Sequence, residues 1–147
     1  MENALKITHE TGEEAPLTVD QMRPMVERLL PEWMRKLGCP HWSVSVEYGP
    51  CSRPDWSAMC SREVAYEVAT ITLTPEMHFT ERDVERSIIH ELLHVKLAEF
   101  DMYRNVVTQN RKPGSAADRE ESALWEYTIE RTVKELRRMV VGMGGLY

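Results

Sequence analysis

The apolar positions of this chain fall into segments of different period. The first sixteen residues are polar, end Glu13-Glu14-Ala15-Pro16, and read as a loose arm or a short edge element. Thr18 with Gln21 then forms a capping box, and Met22, Met25, Leu29, Trp33 and Leu37 recur at helical spacing up to Gly38, a natural C-terminal stop. This predicts an amphipathic helix, with Pro31 expected to kink or restart it. From Trp42 the period changes to two: Trp42, Val44, Val46 and Tyr48 alternate with polar residues until Gly49-Pro50, as in a half-buried strand. A second extended run, Tyr66 to Leu73, is rich in β-branched residues and stops before Pro75. The two runs are expected in one antiparallel sheet. Between them, residues 51–63 are either a long connection or contain a short further strand.

Thr80 and Asp83 mark the next helix start, and that helix is expected to run to about Phe100. Val84, Ile88, Ile89, Leu92, Leu93, Val95, Leu97 and Phe100 lie on more than one of its faces, the pattern of a helix buried in mid-domain. Residues 101–118, with Pro113-Gly114-Ser115, read as a mobile connection. A last helix is expected over 119–141, followed by a tail over 142–147. The expected fold is α+β, one domain over 17–141 in which helices flank a small, mostly antiparallel sheet.

Composition narrows the functional classes. A chain of 147 residues is about the size of one domain, and with 42% hydrophobic residues it can bury a core. Twenty-four acidic against 18 basic residues give a net charge of −6, which offers no broad footprint for nucleic acid or an anionic membrane. No apolar run approaches about eighteen residues, and Met1 to Ile7 lacks the basic and then apolar regions of a secretory signal, so a cytoplasmic protein is expected. Cys39, Cys51 and Cys60 form no C-x-x-C pair and are expected as buried or incidental thiols.

The chemistry is concentrated in His90-Glu91-Leu92-Leu93-His94, an H-E-x-x-H pattern. On a helix the two imidazoles lie about 40° apart around the axis and about 6 Å apart along it, so both can converge on one ion. Glu91 lies about 100° around from His90, beside the ion rather than on it, where a carboxylate can act as base on a water. Three titratable groups in an apolar helix otherwise cost about 1–3 kcal/mol each or more when buried without partners, and a zinc ion would satisfy them. The plainer reading is a pair of histidines hydrogen-bonded in a core or facing water.

A catalytic zinc takes three protein ligands and keeps one position open. Leu97 and Phe100 stand where a metzincin would have Gly and His, and no histidine follows His94, so the third ligand is expected to be a carboxylate. Ile129, Val133, Leu136 and Val140 mark the buried stripe of the last helix, and stepping back three from Ile129 lands on Glu126, the expected ligand. Glu130 is assigned either a supporting hydrogen bond to a liganding histidine or a solvated pairing with Lys134. Glu121 and Asp101 are the alternatives to Glu126. His78 and Tyr103 flank the metal helix and could steady an oxyanion, although a surface histidine and a packed tyrosine are the plainer readings.

These residues give the chain a resemblance to the zincin metallopeptidases in their glutamate-ligand branch, the gluzincins. It is closest in kind to the small single-domain members often encoded by phages and prophages. The resemblance rests on His90-Glu91-Leu92-Leu93-His94, on Leu37-Gly38 followed by Trp42 to Val46, on Ala69 to Pro75, and on the helix through Glu126 to Arg131. Larger gluzincins commonly carry Asp four residues after the liganding Glu, where this chain has Glu130. The resemblance implies zinc held by His90, His94 and a glutamate, and peptide-bond hydrolysis with Glu91 as general base and a peptide or protein as substrate. The alternative from another class is a non-catalytic, zinc-stabilised regulatory or interaction module with a zincin-like fold.

Overall fold

A computed structural model describes residues 15–109 and 111–144. The expected arm up to residue 14 and the last three residues of the expected tail lie outside the described residues.

The first helix, α1, spans Val19–Lys36, and both halves of its capping box form: Gln21 N–H donates to the Thr18 hydroxyl and Thr18 N–H donates to the Gln21 side chain. It buries Met22, Val26, Leu29 and Trp33. The helix continues through both Pro24 and Pro31 with no restart. Both prolines are on the exposed side, where the carbonyls they leave unbonded can be hydrated while the opposite stripe packs. Gly38, at φ 72°, ends it: Gly38 N–H bonds to Arg35 C=O and Cys39 N–H to Met34 C=O, the paired closure that a left-handed residue permits.

Three strands follow, β1 (Ser43–Tyr48), β2 (Ala58–Glu63) and β3 (Val68–Leu73), in spatial order β1-β3-β2. The expected antiparallel pairing of the two periodic runs is not what forms: β1 and β3 are parallel, from Ser43 opposite Val68 to Tyr48 opposite Leu73. The reason is the extra strand inside 51–63. β2 pairs antiparallel with β3, from Ala58 opposite Leu73 to Glu63 opposite Val68, and its added reversal of the chain restores the direction of β1. β3 is therefore central, with Ala69, Ile71 and Leu73 buried on one face, and β2 is an edge strand.

The metal helix of the sequence reading is α2, Glu81–Lys96, capped by Thr80 and Asp83. It ends at Leu97, short of Phe100, and a separate helix, α3 (Ala98–Thr108), occupies what reads in the sequence as connection. α3 buries only Ala98 and exposes Phe100, Tyr103, Val106 and Val107, so it carries no buried stripe for periodicity to reveal. The last helix, α4, spans Ala116–Gly144, with the Ser115 hydroxyl accepting from Asp118 N–H at its start. It runs through Gly142, where a tail was expected.

α2 lies at the centre, packed on α1, α3, α4 and the sheet. Val84, Ile88, Ile89 and Leu92 are fully buried with Met22, Ile71, Leu73 and Val133. Trp33 Nε1–H donates to Glu85 at 2.9 Å and Arg28 pairs with Glu81, fixing α1 along α2. Ile88→Ala should cost about 2–5 kcal/mol of folding free energy in denaturant unfolding, because a fully enclosed site collapses only partly around the cavity. A loss below about 1 kcal/mol would contradict this core. Among the described residues no helix is long and apolar enough to cross a membrane.

Candidate metal centre

Helix α2 presents His90 and His94 one turn apart, with ring centroids 5.2 Å apart, to a facing carboxylate from α4. That carboxylate is Glu130. Its Oε1 lies 2.8 Å from His94 Nε2 and its Oε2 3.3 Å from His90 Nε2. Val133, fully buried one turn on, anchors this stretch of α4 in the core and so sets its rotation.

The structure places Glu130, and not the expected Glu126, against the two imidazoles. Glu126 is about one turn away along α4 and pairs with Arg53 at 2.9 Å. The other candidates are also engaged by arginines. Glu121 accepts from Arg104 Nη2 at 2.6 Å and Nε at 3.1 Å, which holds its carboxyl below the usual range. Asp101 accepts from Arg62 at 2.7 Å and from Trp125 Nε1 at 3.0 Å. The signal for Glu130 was present in the same stripe: stepping back three from Val133, instead of from Ile129, lands on it.

One ligand atom each from His90, His94 and Glu130 lie within 4.8 Å of one another. Ligands about 2.1 Å from a tetrahedral ion stand about 3.4 Å apart, so a small contraction closes the group around a divalent cation. Two imidazoles and one carboxylate suit zinc and also other transition metals. Hydrogen bonds from the two imidazoles, His90 first, hold the Glu130 carboxyl far below the usual range against the opposing effect of burial. It is therefore anionic, the form a cation needs.

Glu91 projects beside this group and is 4% exposed. Burial pushes its carboxyl up to about 7; the nearby Glu130 charge acts in the same direction, while His90 and Arg62 pull it down. It lines a cleft of about 660 Å³ together with His90, His94 and Glu130, walled on one side by Ala58, Cys60 and Arg62 of β2. Burial, with the Glu91 charge adding to it, pushes the Cys60 thiol up to about 12, so it is a neutral wall of the cleft.

Neither flanking candidate enters this cleft. Tyr103 is exposed on α3. His78, instead of lying on the surface, is 1% exposed, with Nδ1 2.7 Å from Thr74 C=O and Nε2 2.8 Å from the Ser87 hydroxyl. It joins the end of β3 to α2 as a neutral ring, Nδ1–H donating and Nε2 accepting. Burial lowers its pKa below the usual 6.5, against the Thr74 carbonyl and Asp83, which raise it. The unfolded chain therefore binds a proton that the folded protein refuses. Stability from His78 is complete above about pH 6.5 and falls as pH drops through the window between that value and the lower folded pKa, by at most about 1.4 kcal/mol per pH unit. Stability curves of metal-free wild type and His78→Gln should differ in slope in this window and run parallel above it; equal slopes throughout would show that His78 charges freely in the fold.

No protein-family model matches the chain, and no curated protein matches it.

Proposed function

We propose that this protein is a zinc-dependent peptide-bond hydrolase of the gluzincin kind, with His90, His94 and Glu130 as the metal ligands and Glu91 as general base. The observation that carries this reading is the convergence of Glu130 from α4 on both imidazoles of one turn of α2, with a buried carboxylate adjacent at Glu91. Zinc, when bound, supplies a Lewis acid that polarises a carbonyl and makes water acidic at neutral pH. The chain supplies the rest. Glu91, whose burial raises its basicity towards neutrality, takes the proton of the attacking water and passes it to the leaving nitrogen. A base with a pKa near the working pH is the efficient one, because it is ionised and still binds a proton well.

The strand ending at Leu73, β3, has both its edges occupied by β1 and β2 and offers no edge to a peptide. An edge for an extended peptide is offered by β2, whose outer edge pairs with no strand among the described residues and whose residues line the cleft. An extended peptide can add to such an edge by main-chain hydrogen bonds.

The test is turnover of a quenched-fluorescent peptide library by metal-free and zinc-reconstituted protein. Cleavage should appear with zinc, stop with a chelator and return on readdition. Retention of zinc with no cleavage of any library member would overturn the hydrolase reading. The same chelator should lower the melting temperature, since a ligand bound only by the folded state raises its stability.

A further inference from the structure

Helix α3 is built the reverse of an ordinary surface helix. Its inward face is polar: Asp101 accepts from Arg62 and Trp125, while Arg104 donates to Glu121 and Ser122 and lies over the Trp125 ring. Its outward face is apolar. At 100° per residue, Phe100, Met102, Tyr103, Val106 and Val107 share one arc of about 160°, and they are 47–70% exposed. A surface helix normally turns its apolar stripe to the core and its polar residues to water. Ion pairs and hydrogen bonds, and not that apolar arc, fasten α3 to the domain.

The area and the charge of this face select its occupant. Aromatic side chains present about 150–250 Å² each and valines somewhat less, so at these exposures the arc offers roughly 500 Å², near the upper limit of a patch that a monomer ordinarily leaves in water. Two such faces brought together bury about 1,000 Å², enough for a specific interface at the small end of the range. Glu99 is exposed at the first turn of α3, and Arg111 and Lys112 are exposed just past its end. A second copy laid antiparallel sets the acidic end of each helix towards the basic end of the other, twice over, and opposes the two helix dipoles. A net charge of −6 works against an anionic bilayer in the same place.

We propose that the outward face of α3 is a self-association surface, on which two copies of this chain pair antiparallel about a two-fold axis. The alignment that sets Glu99 towards Lys112 of the other copy puts Val106 near the axis and Tyr103 of each copy beside Val107 of the other. The aromatic rings of Phe100 and Tyr103 supply most of the buried area. This association goes beyond the hydrolase reading and does not depend on metal.

Sedimentation velocity of the full chain, run from about 1 to 200 μM, should show a monomer–dimer equilibrium with a Kd on the order of 10 μM, as suits an interface of this size. Val107→Glu, a change at an exposed position of the single chain, should leave the melting temperature of dilute protein unchanged. It should also make the protein monomeric throughout, because each dimer would bury the new charge twice. Glu99→Lys and Lys112→Glu should each raise Kd about tenfold, since a rim pair worth under about 1 kcal/mol occurs twice per dimer. The double variant should return to within about threefold of wild type, because the two reversals restore the pairing. A wild type that stays monomeric throughout, as it would if the first fourteen residues or an unrelated partner covered the face, would overturn the proposal. So would a dimer indifferent to Val107→Glu, or charge reversals that fail to compensate each other.

Discussion

Glu91→Gln should leave zinc binding and fold intact and reduce peptide turnover by about 10²–10⁴-fold, the usual contribution of a positioned general base. Glutamine keeps the shape of the side chain, so the buried position beside His90 stays filled, and it cannot take up a proton. A second effect runs the other way. In the metal-free protein the folded state holds the Glu91 proton up to about pH 7, whereas an ordinary glutamate ionises near 4.5. The folded state thus binds more protons between these values, and stability falls as pH rises from 4.5 to 7 and stays reduced above. Glutamine removes that cost, so the metal-free variant should melt higher than metal-free wild type at pH 8, by a margin corresponding to a few kcal/mol at most. A more stable but inactive protein is the signature of a residue kept for chemistry. Unchanged turnover would remove Glu91 as the base, whereas no turnover by zinc-loaded wild type would favour a metal-stabilised regulatory or interaction module, in which α2 and α4 are fastened by the ion and Glu91 has no task.

Glu130→Ala should weaken zinc binding by at least about 100-fold, since even residues that only support a ligand contribute about 10–100-fold. Glu126→Ala should change it by less than about threefold, because its carboxylate is held by Arg53 and only a half-exposed ion pair is lost. Competition against a chelator of known affinity reads both. If the two variants exchanged roles, α4 would have to be rotated by about 40° and shifted by one turn from its observed position, which the buried Val133 forbids. Without metal, the same substitution leaves two imidazoles facing each other with no anion between them. Metal-free Glu130→Ala should accordingly melt lower than metal-free wild type, because both imidazoles lose their hydrogen-bond partner.

How much of this was legible in the sequence follows from which residues carry a periodic signal. α1 and α2 were readable because each has a capping box and a stripe of apolar residues that packs as the stripe requires: Thr18 with Met22 to Trp33, and Thr80 with Val84 to Leu93. The pair His90 and His94 was readable because helical spacing alone places both on one face. The sheet was half readable. Alternation in Trp42 to Tyr48 shows a strand, but the direction of pairing depends on how many times the chain reverses between partners, and the intervening Ala58–Glu63 strand has only Ala58, Met59 and Cys60 as apolar residues. α3 was hidden for the same kind of reason: it lies on the domain with most of its apolar side chains outward. The carboxylate that faces the two imidazoles, Glu130, lies one turn from the expected Glu126. Glu126 and Glu130 are about 40° apart on α4, and a stripe of that width admits either. What decides between them is long-range pairing, Arg53 taking Glu126, Arg104 taking Glu121 and Arg62 taking Asp101, and no local pattern records which arginine meets which carboxylate.

In the proposed centre His90, His94 and Glu130 hold one zinc ion while Cys60, in the wall of the same cleft, does not take part. The zinc K-edge absorption spectrum of the zinc-loaded protein addresses this directly. It should show a single zinc with only nitrogen and oxygen neighbours at about 2.0–2.2 Å, including two imidazoles by their outer-shell scattering. A sulfur neighbour at about 2.3 Å, fewer than two imidazoles, or protein that retains no zinc to measure would contradict it.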